Sequence, residues 1–321
     1  MTSESDCILH GDCREVLSAI PDDQFSACIT DPPYNYEFIG RDWDEKEIER
    51  RLARVQESST LVKNIPYGSG LAGGVRNARW YERNRENIRE YQDWCRSWGE
   101  QVFRTLRPGA YILAFNSTRT IAHVQVALEN AGFYARDILV YRRHSGIPKG
   151  LNAAKKLKTA GCTDWESWEG WHSCLRNEWE AICLLQKPLI ENYATTIKAS
   201  GVGLLRAQPN NEGFLSNIIE GFRRDSSEGT REHCTVKPLE LIRFLIQLIV
   251  PDNGPHVILD PFSGTGTTCC AARGLGHHYV GIEISERYCE IARERLNRDF
   301  APSSPSNRSA PTVGDPQRQL F

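Results

Sequence analysis

Short apolar runs, each followed by a polar or amphipathic segment, recur along most of the chain. Seven of them have the length and composition of buried strands: residues 7–10, 26–29, 110–115, 135–141, 181–185, 257–260 and 279–283. Apolar residues with helical spacing follow several of these runs, as in Arg14–Ile20, in Thr118–Ala131 and from Leu239 onward. Strands that alternate with helices favour an α/β fold. We therefore predict a Rossmann-like, mostly parallel seven-stranded sheet with helices on both faces.

Three stretches interrupt this alternation. Residues 35–100 are polar and rich in Arg and Glu, residues 187–231 are irregular, and residues 299–321 are rich in Pro, Ser and Arg. The chain is therefore expected to have six parts: 1–34, 35–100, 101–186, 187–231, 232–298 and 299–321. The first, third and fifth parts should form one core, the second a helical insertion, and the last a disordered tail. A turn is expected at Arg107–Gly109.

Composition excludes several classes of protein. A net charge of −2 over 321 residues argues against a chain that coats nucleic acid, so any basic surface has to be local. The 11 cysteines form no repeated CxxC pair and Met1–Asp6 is polar, which indicates reduced thiols in a cytoplasm. Cys162, His172 and Cys174 lack the spacing of a zinc site, and no metal is expected. The longest apolar run, Leu239–Val250, is too short to span a bilayer.

The second apolar run ends in a stiff segment, Thr30-Asp31-Pro32-Pro33-Tyr34. Asp31 should lie at the carboxyl end of a strand, where open α/β sheets bind their ligands. The two prolines fix the backbone and remove two N–H donors, which keeps carbonyl groups available as acceptors. A planar group with an exocyclic amine would fit this segment, which offers acceptors for its N–H groups and the Tyr34 ring for its face. The alternative is an ordinary strand end followed by a proline turn.

A second site is predicted near the other end of the chain. The strand Val257–Asp260 leads into a glycine loop, PFSGTGTT, and the next strand ends at Glu283, 23 positions beyond Asp260. Glycines between a strand and a helix let a ligand approach the backbone, and an acid at this distance binds ribose hydroxyls in dinucleotide folds. The third glycine of the dinucleotide fingerprint and the lysine of a phosphate loop are absent. The loop therefore suits a nucleoside with a cationic or zwitterionic tail, such as S-adenosylmethionine.

Further polar residues stand at predicted strand ends and helix starts. Asp12 follows the first strand, where it is either a ligand-binding acid or a helix N-cap. Thr235 and Lys237 precede the amphipathic helix that starts at Leu239, where they are placed to hold a carboxylate, although helix capping is sufficient reason for Thr235.

The best basic patch of the chain follows the fourth predicted strand. It comprises Arg142, Arg143, Lys149, Lys155, Lys156 and Lys158. We predict that this strip contacts phosphates; a solvated positive face is the alternative.

The motifs appear in the order Asp31-Pro32-Pro33-Tyr34, Thr235-Val236-Lys237-Pro238 and Asp260-Pro261-Phe262-Ser263-Gly264-Thr265-Gly266-Thr267-Thr268. This order resembles the β group of DNA amino-methyltransferases, the N6-adenine and N4-cytosine type, in which the catalytic half precedes the cofactor half. The resemblance covers residues 7–34, roughly 98–185 and 233–296, and is weak in the insertion and in 187–231. It implies the Rossmann-like fold of S-adenosylmethionine-dependent methyltransferases, with S-adenosyl-L-methionine as cofactor.

The resemblance also assigns roles to single residues. Asp31, Pro32, Pro33 and Tyr34 would hold the target base. Asp260 and the glycine loop would hold the methionine part of the cofactor, with Lys237 and Thr235 near its carboxylate. Glu283 would bind the ribose and Asp12 the adenine amine. The full cofactor-binding set expected is Asp12, Cys13, Asp31, Thr235, Lys237, Asp260, Pro261, Phe262, Ser263, Gly264, Gly266, Thr267, Glu283 and Ile284.

The activity that follows is site-specific methylation of adenine N6 in double-stranded DNA, with the target base flipped out of the helix. Methylation of cytosine N4 is the nearest alternative, since in those enzymes the segment that corresponds to Asp31–Tyr34, here called the lip, more often has Ser in place of Asp31. Methylation of an amide or of RNA, where a related lip usually begins with Asn, and a DNA-binding protein without activity are the others. We expect residues 187–231 to recognise the target sequence and residues 35–100 to form a lid or a DNA-contact region.

Double-stranded DNA is the expected partner, and a cognate restriction endonuclease is a further one that the resemblance suggests. The protein is expected to act as a monomer or homodimer beside the nucleoid of a prokaryotic cytoplasm, encoded by the cell or by a phage.

Overall fold

The computed structural model describes residues 5–34, 78–143, 151–207, 213–223 and 236–297. These residues divide into two compact units. The first unit takes its described residues from 1–34, 91–142 and 180–321, and the second from 35–90 and 143–179. Most of the predicted insertion and the predicted tail lie outside the described residues, as do Lys149 and Thr235.

The first unit is built on a single sheet, to which the described residues contribute eight strands. The strands are β1 (Cys7–His10), β2 (Phe25–Thr30), β3 (Leu106–Asn116), β4 (Tyr134–Arg142), β5 (Trp179–Gln186), β6 (Ile218–Ile219), β7 (Val257–Asp260) and β8 (His278–Glu283). Their order across the sheet is β1-β8-β7-β2-β3-β5-β4-β6. The eighth strand is β6, a two-residue element within the region predicted to be irregular, which pairs with Val140 and Tyr141 of β4.

The sheet is mostly parallel, as predicted. The pairs β1–β8, β8–β7, β7–β2 and β2–β3 are parallel, whereas β5 runs antiparallel to β3. The last two described strands, β7 and β8, therefore lie between the first two, β1 and β2. All six residues of β2 are buried, which is typical of a central strand covered on both faces of a sheet.

Eight α-helices accompany these strands in the described part of the chain. They are α1 (Cys13–Ser18), α2 (Ala78–Thr105), α3 (Ile121–Asn130), α4 (Ala153–Thr159), α5 (Tyr193–Ser200), α6 (Leu239–Ile249), α7 (Thr267–Gly274) and α8 (Glu286–Asn297). Helix α5 lies in the region predicted to be irregular. Asn192 caps it, since its side chain accepts a hydrogen bond from the Thr195 N–H, and Gly201 ends it with a left-handed backbone.

The predicted turn at Arg107–Gly109 is wrong, because these residues lie inside β3. Phe25 pairs with Leu106 and Ala27 pairs with Tyr111, so β3 bulges between the two pairs. Gly109 takes up the bulge with a φ of 80° and donates its N–H to the Lys187 carbonyl. The chain thus bends within one strand instead of turning out of the sheet.

The second unit contains α4 and a short 3-10 helix, Trp165–Trp168. Asn152 caps α4 by accepting a hydrogen bond from the Lys155 N–H at 3.0 Å. The Lys158 ammonium lies 4.2 Å from the centre of the Trp165 ring, so a cation–π contact joins the two helices. In neither unit do the described residues form a helix long and apolar enough to cross a bilayer.

Candidate active site

Three acids meet at one edge of the sheet. Asp31 directly follows β2, Asp260 ends β7 and Glu283 ends β8, and these three strands are parallel neighbours. The carboxyl ends of parallel neighbours lie at the same edge, which is where the sequence placed a ligand site. The Thr30 hydroxyl donates a buried 2.8 Å hydrogen bond to Asp260 Oδ1, which joins the strand before the lip to the strand before the glycine loop.

In the lip, Asp31–Tyr34, the side chains are tightly connected. The Tyr34 hydroxyl donates to Asp31 Oδ1, and the Lys237 ammonium lies 2.5 Å from Asp31 Oδ2 and 3.2 Å from the Tyr34 oxygen. Burial raises the pKa of the Tyr34 phenol well above its usual value, and the negative charge of Asp31 adds to the effect. Tyr34 therefore stays protonated and acts as a donor to Asp31.

The backbone of the lip is held by side chains that the sequence did not single out. Tyr91 of α2 donates its hydroxyl hydrogen to the Pro33 carbonyl at 2.8 Å, and Asn116 donates to the Tyr91 oxygen at 3.0 Å. The Thr120 hydroxyl, which donates to Oδ1 of Asn116, also lies 3.3 Å from the Tyr34 carbonyl. The carbonyls of Pro33 and Tyr34 thus serve to fix the lip.

Lys237 lies at the lip. The resemblance assigns it to the cofactor carboxylate, but here it is paired with Asp31, and a second carboxylate, that of Glu180 in β5, lies 3.7 Å from its nitrogen. Only 11% of the Lys237 side chain and 13% of the Glu180 side chain are exposed. No motif in the sequence points to Glu180, which is the second residue of β5.

Asp260 is a buried acid. Burial raises its pKa to about 7, against the lowering effect of hydrogen bonds from Thr268, Thr30 and the Phe262 N–H. Those partners, the ones found in the described chain, are all uncharged. A buried carboxylate in such surroundings is stabilised by a cation, so Asp260 fits the ammonium of a methionine tail.

The glycine loop is built around Glu283. The N–H groups of Gly264 and Ser285 donate to its two carboxylate oxygens at 2.8 and 3.0 Å, while burial raises its pKa. Gly266 has a φ of 81°, and a β-carbon there would lie 2.9 Å from that of Ala292. The loop thus needs glycine for both conformation and space.

Other residues brace this loop or line it. The buried Arg295 of α8 donates to the Thr265 carbonyl and, at 3.3 Å, to the Thr267 hydroxyl. The Phe262 ring packs against Trp94 and Trp98 of α2, with ring centres 5.5 and 5.4 Å apart. The Ser263 hydroxyl is buried and has no hydrogen-bond partner among the described residues, so it is a donor that a ligand would satisfy.

The remaining predicted cofactor residues have mixed surroundings. Asp12 caps α1 by accepting from the Arg14 N–H at 2.8 Å, and its carboxylate pairs with the Arg14 guanidinium, which lowers its pKa. Capping is therefore a sufficient reason for this acid. Cys13 and Pro261 are buried, whereas Ile284 is exposed and its carbonyl contacts the His10 ring at 3.0 Å.

The predicted phosphate strip falls in both units. Arg142 belongs to the first unit and lies 3.3 Å from Glu220, whereas Arg143 belongs to the second. The side chains of Lys155, Lys156 and Lys158 are exposed on α4 in the second unit.

Comparison with known proteins identifies the family of the chain. A family model for N6 and N4 methyltransferases, described as DNA methylase, matches residues 25–294. The type II methyltransferase M.HindIII of Haemophilus influenzae is 30% identical over 305 residues, which cover 91% of this chain and 95% of that protein.

Solved structures share the fold. The Thermus thermophilus protein TTHA0409, complexed with S-adenosyl-L-methionine, superposes with a TM-score of 0.52 at 20% identity, over 90% of this chain and 92% of that one. PvuII DNA methyltransferase, described as cytosine-N4-specific, gives 0.58 at 13% identity, over 92% and 87%. The family match over most of the chain and the likeness to M.HindIII show that the protein belongs to the N6/N4 family of DNA amino-methyltransferases.

Proposed function

We propose that the protein methylates N6 of adenine at a specific sequence in double-stranded DNA, with S-adenosyl-L-methionine as the methyl donor. The observation that carries the choice of base is Asp31 at the first position of the lip. A carboxylate there is a strong acceptor for an amine that becomes positively charged as it is methylated, so it stabilises the transition state more than the ground state.

The cofactor half fits S-adenosyl-L-methionine, which supplies an electrophilic methyl group when bound. Asp260 would bind the ammonium of the methionine part, and the loop from Ser263 to Thr267 would line that part. Glu283, which already orders Gly264, has acceptor capacity left for ribose hydroxyls. The Thermus thermophilus relative in the fold comparison binds this cofactor, which supports the assignment.

The lip would receive the flipped base. Flipping costs about a few kcal/mol, and stacking on an aromatic ring such as Tyr34 returns about 1–3 kcal/mol. Asp31 and the Pro32 carbonyl would accept hydrogen bonds from the two amine hydrogens and draw the nitrogen toward a tetrahedral geometry. The lone pair would then be free for in-line attack on the methyl group, so that the N–C bond would form as the carbon–sulfur bond breaks, and the methylated amine would afterwards release one proton to solvent. Orientation and electrostatics carry this step.

DNA contacts would be divided between two regions. We assign phosphate contacts to the basic residues between Arg142 and Lys158, and sequence recognition to residues 187–231. Since M.HindIII is a type II methyltransferase, we also place this protein in a restriction-modification system with an endonuclease of the same specificity.

Mass spectrometry of nucleosides tests the proposal. Unmethylated PCR-amplified DNA is incubated with the protein and S-adenosyl-L-methionine, and N6-methyladenine is the expected product. Recovery of N4-methylcytosine without N6-methyladenine would show that the cytosine alternative is correct. Asp31→Ala should lower turnover by about 10²–10³-fold and leave cofactor affinity largely intact. Asp31→Ser, which reproduces the lip more often found with cytosine, should retain a trace of activity.

A further inference from the structure

The Lys237 ammonium is shared by two carboxylates at the lip. Its nitrogen lies 2.5 Å from Asp31 Oδ2 and 3.7 Å from Glu180 Oε2. All three side chains are largely buried, with 28% of Asp31 exposed and less of the other two. The Lys237 nitrogen also lies 4.9 Å from the centre of the Phe115 ring, so the cluster is partly walled by aromatic groups.

The contact between Lys237 and Asp31 opposes the proposed role of Asp31, which is to accept a hydrogen bond from the target amine. In the structure Asp31 accepts from Tyr34 on one oxygen and from Lys237 on the other. An ammonium at that distance competes with the target amine for the carboxylate. It also repels the positive charge that develops on the amine during transfer, and the repulsion is strong in partly buried surroundings.

Glu180 removes the conflict by its position. Strand β5 is antiparallel to β3, with Ala181 opposite Asn116, so the start of β5 lies at the edge where β2 and β3 end. Glu180 is thus held at the lip by the sheet. With it the described side chains of the cluster comprise two carboxylates and one ammonium, and this excess of negative charge favours a cation. Without it, Asp31 and Lys237 would neutralise each other.

A second observation shows that the charge of Glu180 reaches the lip. The pKa of Tyr34 is raised first by burial, then by the charges of Asp31 and Glu180. The two acids therefore act on the same hydroxyl from different strands.

We propose that Glu180 is a positioning residue that takes over Lys237 when the target amine enters, so that Asp31 is released to accept a hydrogen bond from the amine. The inference rests on the proposed function, because it assumes that Asp31 contacts the amine. It assigns Glu180 to the catalytic step and not to cofactor binding.

The test compares Glu180→Gln with Glu178→Gln. Glu178 is two residues earlier, half-exposed and paired with Arg176, so its variant controls for loss of a carboxylate near the start of β5. Methyl transfer to unmethylated PCR-amplified DNA gives kcat and KM, and calorimetry gives the affinity for S-adenosyl-L-methionine. Glu180→Gln should lower kcat on the order of 10²-fold, as misplacement of a reacting group does, with cofactor affinity unchanged. Glu180→Asp should recover part of the loss, and Glu178→Gln should match the wild type.

The partner of Glu180 is tested in a second background. If Glu180 acts through Lys237, adding Glu180→Gln to Lys237→Met should cause no further loss of kcat. This pair of variants also decides the matter if Glu180→Gln alone does not fold. A full further loss would mean that Glu180 contacts the base itself and would overturn the inference, as would an unchanged kcat in Glu180→Gln.

Failure of the proposed function would look different. Rates are measured for whichever base carries the methyl group, so a cytosine product would overturn the adenine assignment while the Glu180 comparison still holds.

Discussion

The Thr30 hydroxyl donates a 2.8 Å hydrogen bond to Oδ1 of Asp260, from one parallel strand to the next. One residue of the pair precedes the lip and the other precedes the glycine loop. The bond is buried, so its geometry is fixed by the sheet. It therefore sets the distance between the residue proposed to hold the methyl donor and the segment proposed to hold the methyl acceptor.

Thr30→Val should test this bond, since valine has nearly the same shape but no hydroxyl. We expect a loss of about 1–3 kcal/mol in the free energy of unfolding, because a buried carboxylate loses a donor. Urea unfolding at pH 8 measures it. Thr118→Val, at an exposed position between β3 and α3, is the control and should change stability by less than about 0.5 kcal/mol. Equal effects of the two variants would contradict the prediction.

The raised pKa of Asp260 predicts how stability changes with pH. Its pKa rises from 3.8 to about 7 on folding, so the folded state binds the proton more tightly than the unfolded state does. The stability that this proton provides is complete below pH 3.8 and is lost as the pH rises through 7.

Asp260→Asn should therefore gain stability relative to the ligand-free wild type as the pH rises from 4 to 8, by at most about 4 kcal/mol. His256 and His277, whose pKa values are lowered by burial, titrate with the opposite sign, but the difference between the two proteins cancels them. Thermal unfolding across this range gives the result, and a difference that does not vary with pH would rule it out.

Gly266→Ala should damage the cofactor loop. At a φ of 81° a β-carbon is strained, and here it would also lie 2.9 Å from the β-carbon of Ala292. Gly276→Ala is the matched control, because its φ is 77° but no atom lies within 4 Å of the new methyl. Both variants should lose about 1–2 kcal/mol from backbone strain, and only Gly266→Ala should also bind S-adenosyl-L-methionine more weakly. Calorimetry that finds the same affinity in both variants would contradict a role for this loop.

Neutralising Lys155, Lys156 and Lys158 together should weaken binding to all DNA sequences alike. If each lysine contacts one phosphate, the slope of log affinity against log salt should become shallower by about 2.7. Fluorescence anisotropy over a range of salt concentrations measures the slope. Arg287→Gln, on α8 outside the basic run, should leave it unchanged. If the triple variant instead changes the preferred sequence and keeps the slope, the roles assigned to the two regions, phosphate contact and sequence recognition, have to be exchanged.

The three acids at the sheet edge were predictable because parallel strands end on the same side. Asp31 follows a recognisable apolar run and Asp260 and Glu283 end two others, and the alternation of strands with helices predicts that these strands are parallel. Glu180 was not predicted because β5 is antiparallel. An antiparallel strand begins at the edge of the sheet where its parallel neighbours end. Nothing in the apolar pattern shows the direction of a strand.

The supports of the lip were not predictable for a different reason. Tyr91 donates to Pro33 from 58 residues away in the sequence, after a long polar insertion. The residues around Tyr91 in the sequence show no pattern that would predict contact between one face of α2 and the lip. In β3, the Pro108-Gly109 pair is a reliable turn signal in isolation, but the pairs on either side of it, Leu106 with Phe25 and Tyr111 with Ala27, keep the chain in the sheet.

The position of β7 between β1 and β2 has a consequence for synthesis on the ribosome. Asp260 emerges 230 residues after Thr30, a delay of about 10–50 s at ordinary rates of translation. Until then the edge of β2 that pairs with β7 is unpaired, and β1 lacks its partner strand β8. A chain that stops early thus carries the lip on an incomplete sheet, which is prone to aggregation and degradation. Premature termination before β7 should therefore yield protein that is cleared by the cell, not a partly active methyltransferase.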